Sequence, residues 1–154
     1  MGVEVARRSA WLLIAVSGGL LLGALAFQFL GGLAPCRMCH WQRWAHLGVI
    51  GLAALALVGP RLLPAALAAM AASAGLALFH VGVEQRWWDG PGCALPVRPG
   101  DDLFGSLVAA PIARCDQIPW SLLGLSMAGW NMVVSAAALV AAAFLWRRAW
   151  TSNA

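Results

Sequence analysis

The sequence predicts an all-α fold, a four-helix transmembrane bundle with a long cysteine-bearing loop between helices 3 and 4. Three observations predict it: the composition, four long apolar stretches, and four cysteines that all lie at or beyond the ends of those stretches. The chain has 154 residues, of which 62% are hydrophobic and only 10% are charged. A soluble domain carries about 25% charged residues. So much apolar surface requires lipid as the main solvent.

Four stretches are long enough to cross a hydrocarbon core of about 30 Å as helices that rise about 1.5 Å per residue. They comprise residues 9–29, 41–58, 62–83 and 122–146. Each must be an α-helix, because lipid offers no partner to an unpaired backbone N–H or C=O group. The first stretch is longer than the apolar core of a signal peptide, about 7–15 residues, and is therefore expected to be a retained span.

The length suits one integral membrane domain, residues 1–154. Small residues in the spans, such as Gly19 and Gly23, allow helices to approach closely in lipid. Three connections join the spans: residues 30–40, 59–61 and 84–121. A connection as long as the last one usually has a function. Within it, the apolar residues 103–108 predict a brief helix along the membrane interface.

The charge pattern excludes nucleic acid as a partner. It does not determine how the chain is oriented in the membrane, and the redox chemistry of the cysteines decides that. All ten basic residues are arginines, and no basic run exceeds two residues. Four spans put both termini on one side and all four cysteines on the other. The arginines divide equally between the two sides, so their count does not orient the chain. A disulfide that cycles belongs outside the reducing cytosol, which predicts cytoplasmic termini.

Cys36 and Cys39 form a C-x-x-C motif at the start of the second span. This spacing lets the two sulfurs meet in a small ring and is typical of redox cycling. The helix that begins here stabilises a thiolate on Cys39 through its N-terminal amides. Arg43 follows Cys39 by about one helical turn, so the two side chains face the same way. An arginine this close to the apolar core either reaches back to the headgroups or polarises the carbonyl of a bound acceptor.

Cys93 and Cys115 form a second, widely spaced pair in the long loop. A disulfide between them is either a structural staple worth about 3 kcal/mol or an exchangeable bond that meets a partner protein. A C-x-x-C on the same membrane face favours exchange. Zinc is the main competing use of these cysteines, but structural zinc sites usually present two closely spaced pairs. We therefore expect no metal site. Either histidine within the spans, His46 or His80, can be hydrogen-bonded inside the bundle.

The pattern resembles the DsbB family of quinone-dependent disulfide oxidases. The resemblance covers the chain from about residue 10 to 146 and rests on Pro35-Cys36-x-x-Cys39-x-x-x-Arg43 and on four further segments. These are residues 79–85 (FHVGVEQ), 88–93 (WDGPGC), 114–120 (RCDQIPW) and 123–131 (LGLSMAGWN). Two positions depart from the family pattern: Arg37 stands where an apolar residue is common, and Gln42 stands where an acid is common.

The resemblance implies a bacterial inner-membrane enzyme, multi-pass, with both termini cytoplasmic and the cysteines facing the periplasm. It implies that a thioredoxin-like, DsbA-type oxidase attacks the Cys93–Cys115 disulfide at Cys93. Cys115 then exchanges with Cys36, and the freed Cys39 reduces a ubiquinone-like quinone whose carbonyl Arg43 holds. Trp41 and Trp44 would flank the quinone ring. Thiol–disulfide exchange of this kind requires a thiolate and a good leaving sulfur.

Alternatives remain open at this point. The partner can be a general oxidase or one dedicated to a single substrate, and the genome neighbourhood would separate these cases. A vitamin K epoxide reductase-like quinone reductase is also a four-helix bundle with a C-x-x-C, although that family usually places the motif late in the bundle. A structural membrane protein with stapled loops predicts disulfides that are inert to mild reductant and to quinone.

Overall fold

The structure is a computed structural model that describes residues 2–90 and 114–151. The described chain forms four long helices: α1 (Gly2–Phe29), α2 (Arg37–Val58), α3 (Leu63–Glu84) and α4 (Met127–Thr151). A short 3-10 helix, Pro60–Leu62, joins α2 to α3. The predicted helical bundle is confirmed. The helix expected at residues 103–108 and the site residue Cys93 lie outside the described residues.

The four helices pack in chain order around a square. α1 and α3 each contact both α2 and α4, and the diagonal contact between α1 and α3 is slight. Two hydrogen bonds mark one end of the bundle: Ser9 Oγ donates to the carbonyl of Ala142, and Arg7 Nε donates to the carbonyl of Leu57. We call this the termini end, because it holds the start of α1 and the end of α4. The cysteine end, with Cys36 at the start of α2, is opposite.

The termini half of the bundle has an apolar, tightly packed core. Its buried side chains are mostly small, and the cluster comprises Ala6, Ala10, Leu13, Val49, Ala53, Ala56, Leu63, Ala66, Leu67, Met70, Ala138 and Ala142. Alanine lets helix backbones approach closely, and packing of this kind drives helix association in lipid, where the hydrophobic effect between helices is absent. This cluster, called the apolar core below, holds the framework together.

Three elements of the described chain are long and apolar enough to cross a membrane: α1, α3 together with the 3-10 helix, and α4. The second predicted span, in α2, falls outside this set because its first turns carry Gln42, Arg43 and His46. Gln42 and His46 are buried against the other helices, and Arg43 is half-buried there. Polar groups within a membrane helix usually face the bundle interior in this way. The span boundaries themselves stay predictions.

Two local features set the cysteine end. Cys36 is the N-cap of α2, in extended backbone, and follows a proline that cannot donate a backbone hydrogen bond. On the other side, α4 begins at Met127 rather than at Leu122, since a small antiparallel hairpin precedes it. Its strands are β1 (Ser121–Leu122) and β2 (Leu125–Ser126). The turn between them has positive φ at Leu123 and at Gly124.

Candidate active site

The two sulfurs of the C-x-x-C motif meet at the start of α2. Cys36 and Cys39 are free thiols, and their Sγ atoms lie 2.8 Å apart. The backbone N–H of Cys39 donates to the Cys36 sulfur at 3.2 Å, so Cys36 caps the helix with its own side chain. The first turn of α2 therefore holds both sulfurs in the geometry from which a disulfide closes.

The pair shares one proton, which distinguishes the two sulfurs. The Cys36 thiol donates to the Cys39 sulfur, and this hydrogen bond raises the pKa of Cys36 and lowers the pKa of Cys39 to about 7. Arg43 lowers the pKa of Cys39 further, while burial and Glu84 oppose it. Cys39 is therefore the sulfur that is a thiolate near neutral pH, and a thiolate is the reactive form in exchange and redox chemistry.

Cys115 belongs to the other predicted pair and lies against the C-x-x-C motif. It is disulfide-bonded, and only 1% of its surface is exposed. It packs in one small buried cluster with Cys36, Met38 and Val83, and Cys39 contacts the same cluster. The structure thus brings three of the four predicted cysteines together at the cysteine end, while Cys93 lies outside the described residues.

The sulfur geometry bears on zinc, the competing use of these cysteines. Cys36, Cys39 and His80 bring three atoms of a type that binds zinc within 4.8 Å of one another. Two thiolates on one tetrahedral zinc ion, at about 2.3 Å from the metal, lie about 3.8 Å apart. The observed 2.8 Å between the sulfurs is about 1 Å shorter than that separation, so the pair as placed does not hold one zinc ion. The cysteines therefore fit redox chemistry better than shared metal coordination.

A cavity of about 760 Å³ lies beside the motif, and all four helices contribute to its wall. Cys39 and Arg43 line it from α2, and Phe27 lines it from α1. Trp120 and Trp130 cover it from the segment before α4 and from α4 itself. Its wall is mainly apolar with a few polar groups, and its volume is typical of sites for small organic ligands.

Arg43 is held from α1, and one of its nitrogen atoms has no partner among the described residues. Its Nη1 donates to Gln28 Oε1, and its Nη2 donates to the carbonyl of Ala24 at 3.2 Å. Its Nε is buried and has no hydrogen-bond partner among the described residues. A buried donor without a partner is costly, so this N–H fits a site that an acceptor atom of a ligand completes.

A chain of buried hydrogen bonds leads from the C-x-x-C motif into the centre of the bundle. Cys36 Sγ lies 3.7 Å from His80 Nε2, and His80 Nδ1 lies 2.7 Å from Gln42 Nε2. Asn131 Nδ2 donates to Gln42 Oε1, and Asn131 Oδ1 accepts from His46 Nε2. Both histidines are thus hydrogen-bonded inside the bundle, a possibility that the sequence had left open for each.

Comparison with known proteins identifies the family. The model of the family "Disulfide bond formation protein DsbB" matches residues 6–145. Disulfide bond formation protein B of Mannheimia succiniciproducens is 36% identical over 141 residues, which cover 84% of this chain and 79% of that protein. The proteins of that name from Pasteurella multocida and Histophilus somni are 33% and 31% identical, and each alignment covers 84% of this chain and 80% of the relative.

The chain belongs to the DsbB family. It is a multi-pass membrane protein and a thiol–disulfide oxidoreductase, and the resemblance seen in the sequence is confirmed. Membership favours disulfide oxidation over the two alternatives, a vitamin K epoxide reductase-like enzyme and a structural protein with stapled loops. A thiol oxidoreductase partner follows from the same membership.

The predicted tryptophans lie away from the cavity of this DsbB-family protein. Trp44 is 71% exposed on the outer surface of α2. Trp41 is also exposed, and the guanidinium of Arg37 lies over its ring at 5.8 Å. Among the described residues, the tryptophans that line the cavity are Trp120 and Trp130. The exposed pair follows from helix geometry, because both residues point outward from α2 while Cys39 and Arg43 point inward.

Several residues of the site had no role predicted from the sequence. Gln28 holds Arg43, and Glu84, whose side chain is 4% exposed, accepts a hydrogen bond from Ser126 Oγ. Gln42 was noted only as a departure from the family pattern, and Asn131 only as part of a matching segment. One signal was present: each is a polar side chain in or beside an apolar stretch, where polar groups usually have a partner or a function.

Proposed function

We propose that this chain reoxidises a periplasmic, thioredoxin-like oxidase of the DsbA type and passes the electrons to a membrane quinone. It would do so in the bacterial inner membrane, with both termini cytoplasmic and the cysteines on the periplasmic side. One observation carries the proposal: Cys115 packs against Cys36, while Cys39 opens on the cavity that Arg43 lines. The order Cys115, Cys36, Cys39, cavity is the order that an electron relay requires.

The first half of the relay is thiol–disulfide exchange. A thiolate of the partner attacks Cys93 of a Cys93–Cys115 disulfide and releases Cys115 as a thiolate. Cys115 then attacks the Cys36 sulfur of a Cys36–Cys39 disulfide, forms a Cys36–Cys115 bond and releases Cys39. The second thiolate of the partner displaces Cys93 from the mixed disulfide, and Cys93 attacks Cys115, which restores the Cys93–Cys115 disulfide and frees Cys36. The released sulfur is the one with the low pKa, about 7, and sulfurs of low pKa leave faster. Burial of Cys115 beside Cys36 shields this second step from other thiols.

The cavity fits a quinone. Its volume, about 760 Å³, holds a substituted ring, and its mainly apolar wall suits a lipid-soluble molecule. The buried Nε of Arg43 offers a hydrogen bond that a carbonyl oxygen can accept. A bound quinone supplies an acceptor for two electrons and two protons, which matches one dithiol. Arg43 would bind the carbonyl and also favour the Cys39 thiolate, since both carry or develop negative charge.

Reduction of a short-chain ubiquinone analogue tests the proposal. Purified protein in detergent would be mixed with a reduced DsbA-type oxidase, and loss of quinone absorbance would be followed. We expect turnover by the unmodified chain and none in Cys39→Ser or Cys93→Ser. The two variants should differ in one respect: Cys39→Ser still forms a mixed disulfide with the oxidase, whereas Cys93→Ser does not.

The controls separate a failed relay from a failed fold. Arg61→Gln, at the termini end, leaves the cysteines and the cavity untouched and should reduce quinone at the normal rate. Quinone reduction that persists in Cys39→Ser would remove this sulfur from the relay. Absence of turnover with every quinone tested, in folded protein with its disulfide intact, would overturn the proposal.

A further inference from the structure

His80 contacts both cysteine pairs. Its Nε2 lies 3.7 Å from Cys36 Sγ, and its ring makes a hydrogen bond to the backbone of Cys115. The side chain is 5% exposed, so bulk water has little access to these contacts. The role proposed above for the four cysteines and Arg43 does not use this histidine.

The amide chain fixes which ring nitrogen of His80 carries the proton. Asn131 Nδ2 donates to Gln42 Oε1, which leaves Gln42 Nε2 facing His80 Nδ1. An amide nitrogen can only donate, so Nδ1 must accept and cannot carry a proton. A neutral imidazole then has its proton on Nε2. The buried chain therefore places the one N–H of His80 on Nε2, where the sulfur of Cys36 and the backbone of Cys115 share it.

The donor and acceptor of each hydrogen bond can be assigned in the same way from Gln42 to the centre of the bundle. Asn131 Oδ1 can only accept, so His46 Nε2 donates to it at 2.9 Å. His46 Nδ1 lies 3.2 Å from Ser17 Oγ, whose hydroxyl supplies the hydrogen that this nitrogen accepts. Ser135 Oγ also donates to Asn131 Oδ1. Each amide is held from both sides, so the orientation of Gln42, and with it the tautomer of His80, is set by side chains from α1, α2 and α4.

A donor at Cys36 matters when the Cys36–Cys39 disulfide closes. Closing it from one thiol and one thiolate releases two electrons and the proton of Cys36. The Cys36 proton is hard to remove, because the hydrogen bond to Cys39 raises the pKa of Cys36. Once the Cys39 sulfur gives up its negative charge to an electron acceptor, it no longer holds the Cys36 proton. The donors that remain at the Cys36 sulfur are the backbone N–H of Cys39 and His80 Nε2.

We propose that His80, held as the Nε2–H tautomer by Gln42 and Asn131, donates a hydrogen bond that stabilises Cys36 as a thiolate during disulfide closure. The inference rests on the proposed function for its place in the relay. In that step the two sulfurs would form the S–S bond, both electrons and the proton of Cys36 would pass to a bound quinone, and water would supply the second proton of the quinol. His80 keeps its own proton throughout.

Other charged groups near Cys36 do not replace this donor. From α3, Glu84 Oε1 lies 4.0 Å from His80 Nε2 and, as a carboxyl group held by Ser126, adds no positive charge. From α2, Arg43 is bound to α1 and lowers the pKa of Cys39. In the segment after the long loop, Arg114 and Asp116 are paired with each other. The only side-chain N–H that the described residues bring to Cys36 Sγ is that of His80.

The test measures how readily Cys36 ionises in a chain that has no other cysteine. In the background Cys39→Ser, Cys93→Ser, Cys115→Ser, the rate of Cys36 alkylation by iodoacetamide would be followed against pH. We expect His80→Leu to move the midpoint up by about one pH unit, which slows alkylation about tenfold below the midpoint. His80→Gln, whose amide can still donate, should shift the midpoint less.

The control is a histidine next to the motif. His40 follows Cys39 in sequence but is exposed, and its side chain makes no hydrogen bond to Cys36 in the described structure. Its one bond to that residue runs from its backbone N–H to the Cys36 carbonyl, which a substitution of the side chain leaves in place. His40→Leu should therefore leave the midpoint unchanged. Gln42→Met, which releases the tautomer of His80, should give an upward shift smaller than that of His80→Leu. If His80→Leu does not fold, His80→Gln and Gln42→Met carry the same test.

The result that would overturn the proposal is a midpoint that stays constant in all three variants of His80 and Gln42, or that shifts equally in His40→Leu. Alkylation needs neither quinone nor partner protein, so this outcome leaves the proposed function standing. Conversely, a chain that reduces no quinone but shows the predicted shift would support the hydrogen bond from His80 and overturn the proposed relay.

Discussion

The two halves of the bundle are formed by the same four helices, but one half has an apolar interior and the other has a polar interior with a cavity. In the termini half, the apolar core packs alanine, leucine, valine and methionine side chains, most of which have no exposed surface. In the cysteine half, the interior holds two histidines, Gln42, Asn131 and an arginine, and it leaves a cavity of about 760 Å³. Polar groups buried in lipid are costly, so their concentration in one half marks where the chemistry takes place.

This division shows how a small membrane protein can carry a reactive site. Close packing in one half fixes the helices, and the other half can then tolerate a cavity and a donor without a partner. Changes in the cysteine half should therefore alter chemistry with little effect on stability, and changes in the apolar core should do the reverse. Variants in each half test this separation.

The largest effect is expected at Arg43. Arg43→Gln removes the guanidinium group from the cavity wall and the positive charge beside Cys39. Loss of a donor aimed at developing negative charge typically costs about 100-fold in rate. We expect a loss of this size in quinone reduction, measured by absorbance, with little change in unfolding. Arg61→Gln, an exposed arginine at the termini end, is the matched control. Equal losses in both variants would contradict a specific role for Arg43.

The next effect is the ionisation of Cys39. In a Cys93→Ser, Cys115→Ser background, the alkylation rate of Cys39 should rise with pH and reach half its maximum near pH 7, because the thiolate forms above its pKa of about 7. Cys36→Ala removes the main hydrogen bond that lowers this pKa. The midpoint should then move up toward about 8.5, the value of a free thiol, which slows alkylation at pH 7 about tenfold. Peptide mass spectrometry would assign the reacting sulfur. An unchanged midpoint would mean that the thiols do not share a proton.

The two halves also differ in how far sequence alone predicts them. The helices, the confirmed family and the burial of small residues follow from length, composition and motifs. The partners inside the cysteine half do not, because they join distant parts of the chain. Gln28 of α1 makes a hydrogen bond to Arg43 of α2. Asn131 of α4 makes one to Gln42 of α2, which is 89 positions away in the sequence. A pattern shows that a polar residue in a span needs a partner, but only the packing of α1 on α2 or α2 on α4 determines which one.

The exposed tryptophans show a second limit of prediction from sequence, which concerns the direction in which a side chain points. Placing Trp41 and Trp44 beside a quinone relied on their closeness in sequence to Cys39. On a helix, neighbours in sequence point in different directions, and only residues three or four apart share a face. Arg43, four residues after Cys39, lines the cavity with it, whereas Trp41 and Trp44 do not. Periodicity was the better guide to the site than proximity.

A smaller effect, on stability alone, is expected in the apolar core. Ala66→Leu forces a larger side chain into a position with no exposed surface, and overpacking of this kind typically costs about 1–3 kcal/mol. Ala65→Leu, at the adjacent exposed position, should change the free energy of unfolding by less than about 0.5 kcal/mol. Unfolding in detergent micelles, followed by circular dichroism, measures both. The alkylation midpoint of Cys39 should stay the same in each variant, and a shift in Ala66→Leu would mean that the halves are coupled.

The smallest effect is expected where α3 ends and the long loop begins. The indole of Trp88 lies over Gly82, stacks on Phe79 at 5.5 Å and donates from Nε1 to the carbonyl of Phe79. A Cβ at position 82 would lie 2.1 Å from this ring, so Gly82→Ala must displace it. We expect a loss of about 1 kcal/mol in unfolding free energy. Gly75→Ala, on the same helix with open space around it, should cause no loss.

The functional part of this prediction separates two roles for Trp88. If the stacked ring fixes the direction in which the chain leaves α3 toward Cys93, Gly82→Ala should slow mixed-disulfide formation with the partner oxidase severalfold. The alkylation midpoint of Cys39 should not change, because the hydrogen bonds that hold its sulfur come from α2. Exchange at the normal rate in a destabilised Gly82→Ala variant would limit Trp88 to stabilising the end of α3. The loop would then find its partner without guidance from the bundle.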